Sequence, residues 1–145
     1  MTTLTLDSPK IGIGGEFRAV LRNPDESIAY DSGWGDNLIT NLGLTMFSSL
    51  DGLVPFSYCY IGNSTAAPAV GQTTMPSLLA SVAPSTQTPT NSTNVGTPNY
   101  ERFATKTWRF GAGVGTGTIQ DMGVGATSTS VGGLFARHLL TVPID

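Results

Sequence analysis

Charged residues are scarce in this chain of 145 residues, since they make up 12% of it and leave a formal net charge of −3. Soluble domains usually carry about 25% charged residues. Lys10 and Lys106 are the only lysines beside five arginines, so the sequence has no basic stripe with which to neutralise phosphates. This composition argues against a nucleic-acid partner.

Cysteine and long apolar runs are also scarce. Cys59 is the only cysteine, so no disulfide can form within the chain, and we expect it to fold in a reducing compartment. No apolar run approaches the roughly 18 residues of a membrane-spanning helix. The opening residues, MTTLTLDSPK, lack the charged and then apolar segments of a secretion signal. We therefore expect no membrane span, and assembly in a cytoplasm.

Small and polar residues take the place of the missing charge, with 18 Gly, 9 Pro and many Ser and Thr. Hydrophobic residues still reach 39%. Disordered chains combine low hydrophobicity with high net charge, so this composition favours a folded chain, of a length that suits one domain. A surface with little charge is poorly protected against self-association, which favours contact with further copies or other partners.

The first third of the chain has the pattern of a β-hairpin. Apolar and polar residues alternate over 17–22, with Phe17, Ala19 and Leu21 on one face. Asn23-Pro24-Asp25-Glu26 then supplies turn chemistry, because proline fixes φ and Asn and Asp bind the local backbone. The hairpin is predicted to span 16–34.

A change of period follows the hairpin. Apolar residues recur every four positions over 36–50, which predicts the one helix, with Asp36 as its N-cap and Asp51-Gly52 as its end. Gly43 lies inside this helix, where glycine costs about 1 kcal/mol relative to alanine. We therefore expect Gly43 to pack closely against the sheet.

The rest of the chain predicts short strands separated by turns. Within 53–61, Tyr58 and Tyr60 are predicted to lie on one face and Cys59 and Ile61 on the other. Further strands are predicted at 100–110, 118–125 and 134–142, a strand or helical turn at 77–82, a glycine-rich turn at 111–117 and a polar turn at 126–133. Six or seven strands with one short helix are typical of a mainly β fold, a β-sandwich or jelly-roll-like antiparallel domain. Its core is expected to bury the faces that carry Phe17, Tyr58, Trp108 and Phe135.

Two polar segments lack any core pattern. Residues 1–15 are predicted to form an N-terminal arm, and 84–99, with three prolines, an extended polar loop within a single β-rich domain over 16–145. Both segments are suited to backbone pairing with a neighbouring subunit.

The candidate nucleotide-binding and catalytic motifs each lack a residue or a structural element that nucleotide binding or catalysis requires. The glycines of GAGVGTG at 111–117 precede a strand-like segment, whereas a phosphate-binding loop opens a helix. His138, the only histidine, has no neighbouring nucleophile or orienting group in the sequence. Cys59 is interpreted as a small buried hydrophobic residue. These patterns favour a chain without a catalytic residue or cofactor.

Metal and glycosidase chemistry are not indicated either. A zinc site needs more Cys or His than the chain contains, and Asp25, Asp31 and Asp36 lack the pattern of a calcium loop. The glutamates that could pair for glycoside hydrolysis each lie beside turn residues or arginine, namely Glu16, Glu26 and Glu101. We expect no metal and no enzymatic activity.

Four segments in this order resemble virion structural proteins of tailed bacteriophages, the tail and tail-fibre-associated family. They are GWGDNLITNLGL (33–44), YIGNSTAAPAVGQT (60–73), TKTWRFGAGVGTGTIQDMGVG (105–125) and GGLFARHLL (132–140). Asp121 stands where an acidic or polar residue is expected, and Leu134-Phe135-Ala136-Arg137 matches the closing strand. The family pattern often continues beyond that strand, whereas this sequence ends at Asp145, so the resemblance implies attachment to the virion rather than receptor binding.

The resemblance implies a non-enzymatic tail, neck or tail-fibre component, located in the virion and assembled in the host bacterial cytoplasm. Its partners would be further copies of itself, as a trimer or ring, and other virion proteins. One alternative is a capsid decoration or cement protein, because a small β domain with long arms suits clamping of capsid subunits. Another is a carbohydrate-binding module for a host surface glycan, with stacking platforms at Trp34, Tyr58, Tyr60 and Trp108.

Overall fold

A computed structural model describes residues 14–49, 57–84, 86–88 and 105–145. These residues form antiparallel sheets and one helix, which confirms the predicted mainly β class. Within them no helix has the length and apolar character needed to cross a membrane. The elements are β1 (Glu16–Phe17), β2 (Val20–Arg22), β3 (Ile28–Asp31), β4 (Gly35–Asp36), β5 (Leu38–Ile39), α1 (Asn41–Ser49), β6 (Tyr58–Gly62), β7 (Leu78–Val82), β8 (Thr86–Thr88), β9 (Thr105–Thr107), β10 (Ile119–Gly125) and β11 (Leu134–Ile144).

The central sheet has five strands in the order β5-β11-β10-β6-β7, and every neighbouring pair is antiparallel. Val124 of β10 lies opposite Cys59 of β6 and Ala136 of β11. The strands predicted at 118–125 and 134–142 are therefore confirmed, and the second continues to Ile144. At 77–82, where the sequence left a strand or a helical turn open, the structure has a strand.

One face of this sheet, the first face, is covered by the hairpin and by the segment after β9. It carries two apolar clusters, and Phe17 and Phe110 pack against both of them, so the clusters form one continuous layer. The residues of β6 and β10 in these clusters are Cys59, Ile61, Met122 and Val124. Phe135 also belongs to this layer, and Trp108 packs against it, as the sequence predicts.

The opposite face, the second face, carries Tyr60, Met75 and Leu134, with Tyr58 packed against them. The predicted alternation along β6 is therefore confirmed for Tyr58 to Ile61. Because both faces are buried, β6 has an almost continuous apolar sequence rather than the polar and apolar alternation of a strand with one solvated face.

The predicted hairpin is confirmed and extends two residues further than 34. β2 pairs with β3, and β1 pairs with β4, with Phe17 opposite Gly35. At the turn, the Asn23 N–H donates to the Ser27 carbonyl over 2.9 Å, and Asp25 accepts from the Ser27 N–H over 3.0 Å. The base of the hairpin is half-buried at Phe17, while its tip lies in solvent.

The helix begins five residues later than predicted, at Asn41, and Asp36 is not its N-cap. Residues 35–36 and 38–39 are strands instead. Thr40 is the N-cap, because its hydroxyl oxygen accepts from the Gly43 N–H over 2.9 Å, the usual partner three residues into a helix. The predicted helix end at Asp51-Gly52 lies outside the described residues.

Gly43 packs directly against the sheet, as predicted. A Cβ built on Gly43 would lie 2.2 Å from the Phe135 carbonyl oxygen of β11. Only glycine allows the helix backbone to approach the strand this closely.

The two predicted polar segments lie mostly outside the described residues. Residues 1–13 and 89–104 are not described, but Thr86–Thr88 forms β8, which pairs with β9. Of the strand predicted over 100–110, Thr105–Thr107 forms β9 and 108–110 are not in a strand, while 100–104 lie outside the described residues. The glycine-rich segment 111–117 is a turn that leads into β10, as predicted.

Candidate functional site

A charged pair lies inside the second face of the central sheet. Asp121 on β10 and Arg137 on β11 have no exposed surface, and Arg137 Nε donates to Asp121 Oδ2 over 2.7 Å. The register places Gly123 opposite Arg137 and Leu139 opposite Asp121, so the two charged residues are diagonal neighbours on one face. Burying two charges costs several kcal/mol per ion unless further hydrogen bonds compensate, so the other polar atoms of this pair also need partners.

The connection from β6 to β7, residues 63–77, supplies those partners; we call it the 63–77 loop. Its Ser64 N–H donates to Asp121 Oδ1 over 3.1 Å, and its Gln72 Oε1 accepts from Arg137 Nη1 over 3.3 Å. Burial raises the pKa of the Asp121 carboxyl, and the hydrogen bond from Arg137 opposes that rise. The ion pair therefore joins two strands to the loop that covers them.

Further main-chain contacts fix the same loop to the sheet and to the helix. The Val70 carbonyl accepts from the Asn41 N–H at the start of α1 over 2.7 Å, and the Thr73 carbonyl accepts from the Leu134 N–H over 3.3 Å. A Cβ at Gly62 would lie 2.5 Å from Asp121 Oδ1, so glycine at that position makes room for the carboxylate. The second face is thus closed by polar contacts rather than by apolar packing alone.

A cleft opens next to the ion pair, where β5 leaves β11. The two strands pair only at Ile39–Ala136 and Leu38–Arg137, because Asp36 pairs with Glu16 of β1 instead of continuing along β11. Pro68 of the 63–77 loop forms the opposite wall. The cleft has a volume of about 380 Å³, and its described lining residues are Asp36, Asn37, Leu38, Pro68, Arg137, His138 and Leu139.

Two lining residues carry buried polar atoms without a hydrogen-bond partner among the described residues. They are the acceptor Asn37 Oδ1 and the donor Arg137 Nη2. His138 Nδ1 lies 2.7 Å from the Asp36 carbonyl oxygen. Because a carbonyl oxygen only accepts, Nδ1 donates this hydrogen bond. Asn37 Oδ1 and Arg137 Nη2 have almost no accessible surface, so they lie behind the wall of the cleft rather than in its opening.

The described residues do not group His138 or the aspartates with further catalytic or metal-binding side chains. The hydrogen bond of His138 goes to a main-chain carbonyl, and within the described ranges no side chain hydrogen-bonds to this imidazole. The same residues bring no three His, Cys, Asp or Glu side chains together in the manner of metal ligands. Of the three aspartates considered for a metal, Asp25 binds Ser27, Asp31 binds Arg18 and Asp36 lines the cleft.

The four aromatic residues considered as sugar platforms do not share one surface. Tyr60 has no exposed surface, so it cannot stack on a ligand. Tyr58 packs beside it on the second face, whereas Trp108 packs against the first face with a buried Nε1. Trp34 is 58% exposed, and the Arg18 guanidinium carbon lies 5.9 Å from its ring centroid. Of these four residues Trp34 is the most exposed, while Tyr58 and Trp108 are half-buried.

The remaining sequence candidates lie at separate positions. Burial raises the pKa of the Cys59 thiol to about 12, so this thiol stays protonated at neutral pH. Glu26 at the hairpin turn binds Arg109, and Glu16 lies in β1. Glu101 lies outside the described residues.

An apolar surface is exposed on the hairpin tip. No residue of β2 is buried, and Val20, Leu21 and Ile28 are 38%, 40% and 53% exposed. Arg18 forms an exposed pair with Asp31 beside them, with Nε donating to Oδ1 over 2.9 Å. Val20 and Leu21 are consecutive residues of a strand and therefore lie on opposite sides of this two-stranded sheet. Together with Ile28 they make the two sides of the hairpin a candidate contact region, which we call the hairpin surface.

Sequence reasoning missed the buried pair and the role of the 63–77 loop. The available signal is a charged residue inside an otherwise apolar strand, since Asp121 interrupts β10 and Arg137 interrupts β11. A fully buried charge requires a partner, so each of these residues could have been assigned one.

Comparisons of the chain with protein-family models, curated proteins and solved structures give no match. Function is therefore inferred from the residues and their geometry.

Proposed function

We propose that this chain is a non-enzymatic structural component of a tailed-bacteriophage virion, in its tail, neck or tail fibre. It assembles with further copies of itself and binds other virion proteins. The observation that carries the assembly role is the hairpin surface, where Val20, Leu21 and Ile28 lie in solvent on a chain with only 12% charged residues. Apolar surface is stabilised by roughly 25 cal/mol for each Å² removed from water.

The phage assignment rests on the resemblance of four sequence segments, and each of these segments contributes to the central sheet. The first supplies β4, β5 and the start of α1, and the second supplies most of β6 and the 63–77 loop up to Thr73. The third and fourth supply β10 and the part of β11 that carries Arg137. All four meet at the central sheet, and three of them contribute a residue to the polar contacts of the buried pair: Gln72, Asp121 and Arg137.

Charge on the hairpin limits how a partner docks. Arg18 and Asp31 neutralise each other beside the apolar side chains, whereas Arg22, opposite Ile28, donates to the Glu26 main-chain carbonyl and keeps its charge. A partner that covers this surface would therefore bind through apolar contact and main-chain pairing and would also accommodate this cation. A second copy of the chain satisfies the first two conditions.

The location of the protein in the particle tests this proposal. We expect cryo-electron microscopy of purified particles, with an epitope tag on this chain and gold-labelled antibody, to place a few to a few dozen copies on the tail or neck. Hundreds of copies spread over the capsid would contradict the tail assignment and support the decoration alternative. Complete absence from purified particles would contradict a structural role of either kind.

A further inference from the structure

Strand β7 ends the central sheet on one side. Within the described residues no strand pairs with its outer edge, since the order β5-β11-β10-β6-β7 stops there. The main-chain N–H and C=O groups along such an edge are a template for pairing with another strand, and proteins usually protect it with charge, proline or a bulge. The sequence of β7, LLASV, has neither charge nor proline. Its bulge lies at Leu79, so Ala80–Val82 forms a regular edge.

The opposite side of the sheet is better protected. β5 has only two residues, and beyond it β11 carries Pro143, which has no N–H to offer to a further strand. On the same stretch the Tyr30 hydroxyl donates to the Val142 carbonyl over 3.1 Å. Of the two sides of the described sheet, β7 is therefore the one that can accept a further strand.

The two faces of β7 differ in polarity. Ala80 lies opposite Ile61 on the first face, and Leu79 packs on that face as well. Ser81 lies opposite Tyr60 on the second face. All residues of β7 are half-buried, so part of their surface is still accessible at this edge. A strand that extends the sheet therefore needs apolar side chains towards the first face and small polar ones beside Ser81.

Residues 2–6, TTLTL, have this pattern, and we call them the arm segment. Leu4 and Leu6 alternate with Thr3 and Thr5, so a strand formed by them has a leucine face and a threonine face. Threonine is favoured in strands, and Thr–Ser pairs across neighbouring strands stabilise a sheet. The arm segment has no charged side chain, which matches the uncharged β7.

The chain enters the described structure far from its own β7. Gly14 is exposed, and the Gly15 carbonyl accepts from the Asn37 N–H over 3.2 Å, next to β5. β5 and β7 are four strand spacings apart, which is roughly 19 Å. Both faces between them are covered, and a route over a layer roughly 10 Å thick is longer than the ~25 Å that residues 7–13 can span. The arm segment is therefore better placed to pair with the β7 edge of a second copy than with its own.

We propose that the arm segment of one copy adds a strand to the outer edge of β7 in a second copy, with its leucines towards the first face and its threonines beside Ser81. This contact rests on the proposed self-assembly and lies apart from the hairpin surface. Because each copy gives one arm and receives another, a closed ring pairs every β7 edge.

Strand addition acts together with the hairpin surface. Ordering five residues costs conformational entropy, which offsets much of the gain from main-chain hydrogen bonds. The arm segment therefore binds weakly by itself. It stabilises copies that the hairpin surface already holds together, because its effective concentration is then high.

Disulfide cross-linking of the full chain tests this pairing. Ser81→Cys is combined with a single cysteine at each position from 2 to 6, and each protein is oxidised with diamide at a concentration where the wild type is oligomeric. We expect Thr3→Cys and Thr5→Cys to link to position 81 at least fivefold more than cysteines at the leucine positions, because side chains alternate along a strand. Non-reducing electrophoresis should show links between two chains, as dimers and larger species.

A pair of prolines gives a second measurement. Thr3→Pro combined with Leu4→Pro removes two main-chain N–H groups, which point to opposite edges of a strand, so one hydrogen bond to β7 is lost in either orientation. Thr3→Ala combined with Leu4→Ala is the matched control, because it shortens both side chains and keeps both N–H groups. We expect the dissociation constant of the oligomer, measured by sedimentation velocity, to be at least threefold higher for the proline pair than for the alanine pair.

The proposal is overturned if cysteines at all five positions link equally, if the links form within one chain, or if an oligomeric protein forms no links. Equal dissociation constants for the proline and alanine pairs would also overturn it. In each of these cases assembly through the hairpin surface stands. A wild type that is monomeric at every concentration would instead contradict the self-assembly itself, and this contact with it. Ser81→Cys alone is the control and should stay unlinked, because the native Cys59 is buried.

Discussion

The second face of the central sheet buries charged side chains, whereas the hairpin tip exposes apolar side chains. On the second face, Asp121 and Arg137 are fully buried and held by the 63–77 loop. On the hairpin tip, Val20, Leu21 and Ile28 lie in solvent. The interior thus contains charge with its partners supplied, while the surface contains apolar side chains without a cover. This contrast is the basis for the proposal that a partner covers the hairpin surface.

The strongest expected effect is on the buried pair. Arg137→Met should lower the free energy of unfolding by about 3–5 kcal/mol, because it leaves Asp121 buried without its cation. Asp121→Leu combined with Arg137→Met should recover a large part of that loss, since neither charge then remains. Urea denaturation of the two single variants and the double variant measures this coupling. If the loss of stability in the double variant equalled the sum of the losses in the two single variants, this would contradict the conclusion that the pair fixes the second face.

Gly43→Ala separates helix propensity from packing. In an exposed helix this change gains up to about 1 kcal/mol, but here the new Cβ would lie 2.2 Å from the Phe135 carbonyl oxygen. We expect a net loss of about 1–3 kcal/mol from overpacking, measured by urea denaturation. Gly71→Ala is the control, because a Cβ at Gly71 meets nothing within 4 Å. A stabilised Gly43→Ala variant would contradict the close contact between α1 and β11.

Thr40→Val tests the hydroxyl that joins the helix to the sheet. The Thr40 hydroxyl accepts from the Gly43 N–H and lies 2.7 Å from the Leu134 carbonyl oxygen. Loss of an N-cap costs about 0.5–2 kcal/mol, so we expect a thermal unfolding temperature several degrees lower. Thr40→Ser keeps the hydroxyl and should recover most of that stability. Equal unfolding temperatures for Thr40→Val and wild type would contradict the capping role.

Lowering the pH should change the stability contributions of Asp31 and Asp121 in opposite directions. The Arg18 guanidinium lowers the pKa of Asp31 from 3.8 to about 2, so the contribution of Asp31 to stability is present above pH 3.8 and is lost as pH falls towards 2. Burial raises the pKa of Asp121, so its contribution is present below pH 3.8 and is lost as pH rises through the raised pKa.

Urea unfolding from pH 2 to 7 checks this difference. The stability of wild type relative to Asp31→Asn should rise with pH over the acid limb, whereas that of wild type relative to Asp121→Asn should fall. If both stability differences changed with pH in the same direction, this would contradict the contrast between the exposed Arg18–Asp31 pair and the buried Arg137–Asp121 pair.

Local patterns in the sequence predicted much of the sheet but little of the site. The alternation around Phe17 and along Tyr58–Ile61 is visible because side-chain direction repeats every two residues, and Gly43 is conspicuous inside a helical pattern. Leu38 and Ile39 fit both the four-residue period and a short strand, which is why the predicted helix began too early. Asp121 and Arg137 meet only through the register of β10 and β11, and a local pattern contains no information on that register. The cleft likewise depends on where β5 leaves β11.

Substitutions on the hairpin surface should have little effect on the stability of a single chain. Replacing Val20, Leu21 and Ile28 by threonine keeps strand propensity and should change the free energy of unfolding by less than about 0.5 kcal/mol for each residue. The matched control replaces Val70, Val131 and Val142 by threonine, because these residues are 52%, 68% and 54% exposed at other places on the surface.

Sedimentation velocity of these variants beside the wild type measures assembly most directly. We expect the wild type and the control to sediment as the same homo-oligomer and the hairpin variant to sediment as a monomer with an unchanged circular dichroism spectrum. A wild type that remains monomeric at every concentration, or a hairpin variant that assembles like the wild type, would contradict assembly through the hairpin.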